Sequence, residues 1–149
     1  MSILESSRSE WTSRMLSVLR IVVGILYFEH GTQKMLDIPP SAAPGPHVYH
    51  LLSLNGLAGI LETFGGFAIL VGLFTRPIAF VLSGEMAVAY FKVHIARSIF
   101  PINNRGDNVV LFCFVFLLFV LAGGGPWSVD ALIARARRRE TEAGDTLSP

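Results

Sequence analysis

The stretch Leu51–Phe74, LLSLNGLAGILETFGGFAILVGLF, contains one charged residue, Glu62, near its middle. A helix needs roughly 20 mostly apolar residues to cross the hydrocarbon core of a bilayer. An ionisable group at the centre of such a helix costs about 2.5–3.5 kcal/mol on insertion scales, so it faces protein and has a partner there. The stretch therefore reads as a helix in lipid with one side turned inward. Asn55, Gly59, Glu62 and Gly66 fall at helical spacing and mark that side.

Three further apolar segments flank it. Met15–Lys34 precedes it, Ile78 to about Ile95 follows a Thr-Arg-Pro corner in which Pro77 suits a helix start, and Asn108–Gly125 ends in glycines before Pro126. The first segment does not read as a cleaved signal, because Arg20 lies inside it and no small-x-small site follows. Composition agrees with a lipid setting. Of 149 residues, 52% are hydrophobic and 15% charged, with a mean hydropathy of +0.54. Soluble domains carry about a quarter charged residues.

The expected fold is all-α: an integral membrane four-helix bundle with a short C-terminal amphipathic helix. Residues 1–14 are expected as a cytoplasmic segment, 15–126 as the four-span domain, 127–138 as an interfacial helix capped by Ser128, and 139–149 as a disordered tail. Basic residues orient the bundle. Both termini share a side with Arg8, Arg14, Arg20, Arg76 and the C-terminal arginines 135, 137, 138 and 139, whereas Lys34, Lys92, Arg97 and Arg105 lie opposite. That bias predicts cytoplasmic termini for a multi-pass inner-membrane protein. The arginine run fits a membrane flank, and nothing points to nucleic acid. Cys113 is the only cysteine, which excludes an internal disulfide and any Cys-x-x-Cys site.

The first segment ends in YFEHGTQKM, Tyr27–Met35, where polar residues crowd a helix that is otherwise apolar. Arg20, Gly24, Tyr27, Gly31 and Lys34 share a face, with His30 beside it, and Glu85, Ala89 and Lys92 share one on the third segment. Small residues alternate with polar ones on these faces, which lets helices in lipid approach and bond across the gap. The faces are expected to converge on a polar interior open at the outer side, where His30, His47, His50 and His94 all fall. Bland alternatives stand beside this. Glu62 and Glu85 could be paired structural carboxylates, Lys34, Lys92 and Arg97 could snorkel, and Asp107 could cap the last helix. A site built from His30 and His94 is conceivable, but no spacing fixes a metal, and none is assigned.

These residues resemble the DoxX family of small, four-helix bacterial membrane proteins. The likeness runs from about Leu19 to Leu132. It includes HGTQK at His30–Lys34, GLAGILETFGGFAILVGLFTRP at Gly56–Pro77, GEMAVAYFKVH at Gly84–His94, FPINNRGDN at Phe100–Asn108 and GGGPWSVDAL at Gly123–Leu132. Family members often carry Gly-Glu before the last helix, where this chain has Gly106-Asp107, a carboxylate one methylene shorter. The resemblance implies association with oxidoreductase systems, in some members with quinone reduction in sulfur metabolism.

Two functions follow as expectations. The first is an accessory or quinone-binding subunit of a membrane oxidoreductase system. Glu62 and Glu85 would relay protons, while His30, Gln33, Lys34, His94, Asn104 and Asp107 would bind the ligand. Arg20, Asn55, Lys92 and Asn108 would be polar groups of structural role. Quinone is the implied cofactor, although the chain carries no haem-attachment or nucleotide-loop motif. Electrons would then come from a partner subunit or from a bound cofactor. The second is a non-catalytic scaffold that binds a lipid or small molecule and recruits a partner protein, with membrane lipids around it and a homo-oligomer conceivable.

Overall fold

Serine and glycine set the ends of the decisive helix. The Ser53 hydroxyl accepts from Gly56 N at 3.0 Å, and the helix stops at Gly72, whose φ of 73° suits a residue without a Cβ. In this computed structural model, residues 3–42 and 48–145 are described. His47, expected in an outer loop, lies outside the described residues. Among these residues the chain is helical, without strands. The elements are α1 (Ile3–Leu36), α2 (Leu54–Val71), α3 (Thr75–Ala89) running into a π-helical turn (Tyr90–His94), α4 (Pro101–Asn104), α5 (Asp107–Ala122) and α6 (Val129–Asp145).

Two stretches, Ser7–Leu36 and Leu54–Val71, are long and apolar enough to cross a membrane, and α5 is apolar but shorter. The all-α expectation holds. Two boundaries move. The first helix does not begin near Met15, since α1 starts at Ile3 and residues 3–14 contain no Gly or Pro. The C-terminal helix does not end at Arg138 but runs to Asp145, through residues expected to be disordered. The polar composition there suggested a tail, but Arg, Glu and Ala are good helix formers, and Pro and Gly are absent until Gly144.

The bundle is apolar outside and polar within. Phe64, Phe80, Phe91, Phe114 and Leu121 are exposed on α2, α3, the π turn and α5, while Ser17, Arg20, Glu62, Thr75, Ser83 and Asn104 are buried. Water-soluble monomers rarely expose contiguous apolar patches beyond a few hundred Å². The apolar core is compact: Tyr27 sits edge-on to Phe116 at 4.8 Å, among Val23, Ile69, Leu82, Met86 and Phe119.

Glycine faces join α1 to α2. A Cβ on Gly24 would stand 2.6 Å from Leu70 Cα, and one on Gly66 would stand 2.6 Å from Phe28 N. Between α3 and α5, the Ser83 hydroxyl donates to the Cys113 carbonyl at 3.0 Å.

One end of the bundle is tied by buried hydrogen bonds. Arg20 is 1% exposed. Its guanidinium donates to the carbonyls of Gly124 at 2.9 Å, Ile69 at 2.7 Å and Trp127 at 2.8 Å, and also to that of Leu70. A cation thereby meets the C-terminal carbonyls of α2, where the helix dipole is negative. At the start of α3, Phe74 takes a positive φ of 47° and no local side chain caps the helix. Asp130, from α6, accepts from Phe74 N and Thr75 N at 2.8 Å each. Ser128 caps α6 as expected, its hydroxyl accepting from Ala131 N at 3.1 Å.

Candidate functional site

At the opposite end the same glycine faces bring ionisable side chains together. Gly59 lies against Lys34 and Met35, and Gly31 against Glu62 and Thr63, so α1 and α2 are close where their charges meet. Lys34 Nζ pairs with Glu62 Oε1 at 2.6 Å, the lysine about a third exposed and the glutamate buried. Across the bundle the Tyr27 hydroxyl donates to Glu85 Oε2 at 3.0 Å. Each carboxylate thus has one oxygen engaged. Glu62 Oε2 and Glu85 Oε1 are buried and have no hydrogen-bond partner among the described residues.

Both glutamates line a cavity of about 500 Å³ formed by α1, α2, α3 with its π turn, and α5. Tyr27, His30, Lys34, Asn55, Lys92, His94 and Asn108 supply its polar atoms; Leu57, Leu61, Val81, Val88, Val109 and Phe112 supply its apolar walls. That size and mixture suit a small-molecule site, where apolar walls hold the body and a few polar groups orient it. The π turn forms part of the wall, with Lys92, Val93 and His94 all on the cavity. Such turns often occur at functional sites.

Two ring nitrogens can be assigned from their partners. His30 Nδ1 lies 2.8 Å from the Leu26 carbonyl and His94 Nδ1 lies 3.0 Å from that of Asn104. A carbonyl only accepts, so Nδ1 carries a proton in both rings, and Nε2 is the nitrogen each has to offer. Among the described residues no group of three His, Cys, Asp or Glu is placed to hold a metal ion.

The DoxX family sequence model matches residues 15–95, more than half of the chain, from within α1 through the π turn. An uncharacterized protein of Haemophilus influenzae (strain ATCC 51907 / DSM 11121 / KW20 / Rd) is 42% identical over 118 residues, covering 77% of this chain and 87% of its own length. The chain belongs to the DoxX family. No solved structure matches it. It is a DoxX family membrane protein, and the matched segment holds most of the cavity's polar lining; Asn108, Val109 and Phe112 on α5 lie beyond it.

The residues expected at the ligand of this DoxX protein divide into two groups. Glu62, Glu85, His30, Lys34 and His94 line the cavity, as do Asn55, Lys92 and Asn108, which were expected to be structural. Gln33, Asn104 and Asp107 do not. Gln33 donates to the Pro39 carbonyl at 3.1 Å, holding the loop after α1. Asn104 is buried in the turn before α5, donating to Ser98 O at 2.7 Å and accepting from Gly106 N at 2.7 Å. It supports the site indirectly, because its carbonyl receives His94. Asp107 is the first residue of α5 and exposed, with Gly106 at the cap position, so it neither caps by its side chain nor reaches the cavity. Its charge still suits a helix N-terminus.

Arg20, expected in a structural role, has backbone carbonyls as its partners. Asp130 and Ser17 were missed, because no local pattern says that Asp130 will reach α3 or that the Ser17 hydroxyl will accept from Trp127 N at 3.2 Å. Tyr27 as the partner of Glu85 was also missed. Its place on the Arg20–Lys34 stripe was the available signal.

Proposed function

We propose that this DoxX protein spans the cytoplasmic membrane with four helices, both termini inside, and serves as a quinone-binding accessory subunit of a membrane oxidoreductase system. One observation carries the reading: a cavity with apolar walls in which Glu62 and Glu85 each hold one oxygen on a partner and keep the other buried, without a partner among the described residues. Buried polar groups are normally satisfied, and one that is not points to a role.

The residues present fit a quinone head group. Phe112, Leu61 and Val109 offer apolar faces to a ring. The Lys34 ammonium keeps N–H groups beyond the one given to Glu62, and Asn108 offers an amide; both suit carbonyl oxygens. Glu62 Oε2 and Glu85 Oε1 can accept from hydroxyls or, when protonated, donate. A bound quinone would supply the two-electron chemistry that the chain lacks. The chain itself orients the ring, excludes water through its apolar wall, and holds or releases protons at those carboxylate oxygens. Electrons reach the site from a partner.

Native mass spectrometry of protein extracted gently from its own membrane, with an optical spectrum of the same sample, tests this. The expected result is a co-purifying quinone that is lost in Glu62→Gln and Glu85→Gln while the fold persists. Protein carrying phospholipid alone, with no redox partner, would sink it. A second reading, a scaffold that recruits a partner, draws on α6, whose residues 132–143 are exposed and include Arg135, Arg137, Arg138 and Arg139. Such a stripe suits an anionic surface.

A further inference from the structure

The helices around the cavity meet along seams, and three of these are shut. Glycines close α1 on α2. The Tyr27 ring, 5.4 Å from Phe112 and 4.8 Å from Phe116, closes α1 on α5. Ser83 bonded to Cys113 joins α3 to α5. The α2–α3 seam behaves differently along its length. Toward the tied end it is tight, with Leu82 Cδ2 2.7 Å from where a Gly65 Cβ would stand. Leu57 and Leu61 of α2 and Val88 of α3 stand further along, with Val81 beside Leu82; all four line the cavity and yet are 39–56% exposed. A side chain that does both stands at a mouth.

Gly84 lies between Val81 and Val88 on the same helix face and also lines the cavity. Apart from its chain neighbours and its own helix backbone, no heavy atom lies within 4 Å of where its Cβ would be. The polar rim of Lys34, Asn55, Lys92 and Asn108 belongs to the outer end, whereas this mouth is wholly apolar.

We propose that the cavity admits its ligand sideways from the bilayer, between α2 and α3, with Gly84 as the threshold. The occupant is a lipid-soluble molecule: its polar head sits by Glu62 and Glu85 and its apolar tail stays in the seam. This inference deepens the quinone reading by assigning the route and the kind of tail, and it rests on that reading for the head group. The polar rim then serves proton exchange with water, apart from the path of the ligand.

Carbodiimides test the route without needing the natural ligand. A protonated carboxyl adds its oxygen to the carbodiimide carbon and its proton to one nitrogen, and the adduct rearranges to an N-acylurea with no leaving group. The full chain in phosphatidylcholine vesicles is treated with lipid-soluble dicyclohexylcarbodiimide or with a quaternary-ammonium carbodiimide confined to water. Peptide mass spectrometry then reads the adduct on Glu62 and Glu85. The lipid-soluble reagent is expected to label at least one of them, and much faster than the charged one. Gly84→Leu should suppress this labelling by roughly tenfold, taking that as about 1.4 kcal/mol of added barrier, while Gly84→Ala leaves it near the starting rate. Leu61→Ala, which widens the mouth, should raise it and covers the case in which the leucine variant misfolds.

Unlabelled glutamates, a charged reagent that matches the lipid-soluble one, or rates indifferent to both Gly84→Leu and Leu61→Ala would each overturn the proposal. Adding excess decyl-benzoquinone separates the two readings. Side access without protection by the quinone removes the quinone reading and leaves the route standing. Protection with labelling indifferent to both variants removes the route and leaves the quinone.

Discussion

At one end of the bundle Arg20 donates to four backbone carbonyls and Asp130 accepts from two amides, so buried charge there is matched by backbone dipoles from distant segments. At the other end Glu62 and Glu85 are matched halfway, each with one oxygen on a side chain and one on nothing described. A fully satisfied polar network holds helices in one arrangement, whereas an unsatisfied one represents stability forgone. On the proposed function, the difference separates a structural end from a binding end.

The largest test is at the tied end. Arg20→Ala should cost several kcal/mol, because it leaves up to four carbonyls without their donor, at about 1–3 kcal/mol for each that stays buried and unsatisfied, and should read as a marked fall in the thermal unfolding temperature in detergent. A mild effect would mean that the two ends do not differ as described. Next, Asp130→Ala should cost about 1–2 kcal/mol, the value of a lost helix cap, measured in the same way and without loss of ligand. At the cavity end the order of effects reverses. Glu85→Gln should change stability by about 1 kcal/mol or less, since an amide still accepts from Tyr27, yet should abolish ligand retention in native mass spectrometry. If Glu85→Gln instead unfolds the protein while keeping ligand, the carboxylate is structural. The smallest effect is Gly84→Ala, expected to raise stability by up to about 1 kcal/mol, the helix-propensity difference. A loss there would show that the wall is packed.

Much of the site was legible because helical spacing in lipid is nearly a map of faces. The stripes Arg20–Gly24–Tyr27–Gly31–Lys34, Asn55–Gly59–Glu62–Gly66 and Glu85–Ala89–Lys92 place Lys34, Glu62, Glu85 and Lys92 on one interior, and the cavity contains all four. Loops were not legible in this way. FPINNRGDN contains several good ligand donors, but Asn104 is consumed by its own turn through Ser98 and Gly106, a closure that composition does not reveal. Tail residues 139–145 misled in the other direction, since polarity resembles disorder until the helix propensity of Arg, Glu and Ala is weighed.

Taken alone, the sequence determined the all-helical class, the family, the inward faces and the carboxylates on them. The class, the faces and the carboxylates follow from a period of 3.6 residues and the cost of charge in hydrocarbon, and the family from its motifs. Tertiary structure alone decided which partner each charge takes: carbonyls for Arg20, Lys34 for Glu62, Tyr27 for Glu85, and Asp130 for the start of α3. It also decided that α2 and α3 part beside Gly84. Those choices depend on how far apart helices stand when their small residues touch, a distance that is a property of pairs of helices and is written in neither one.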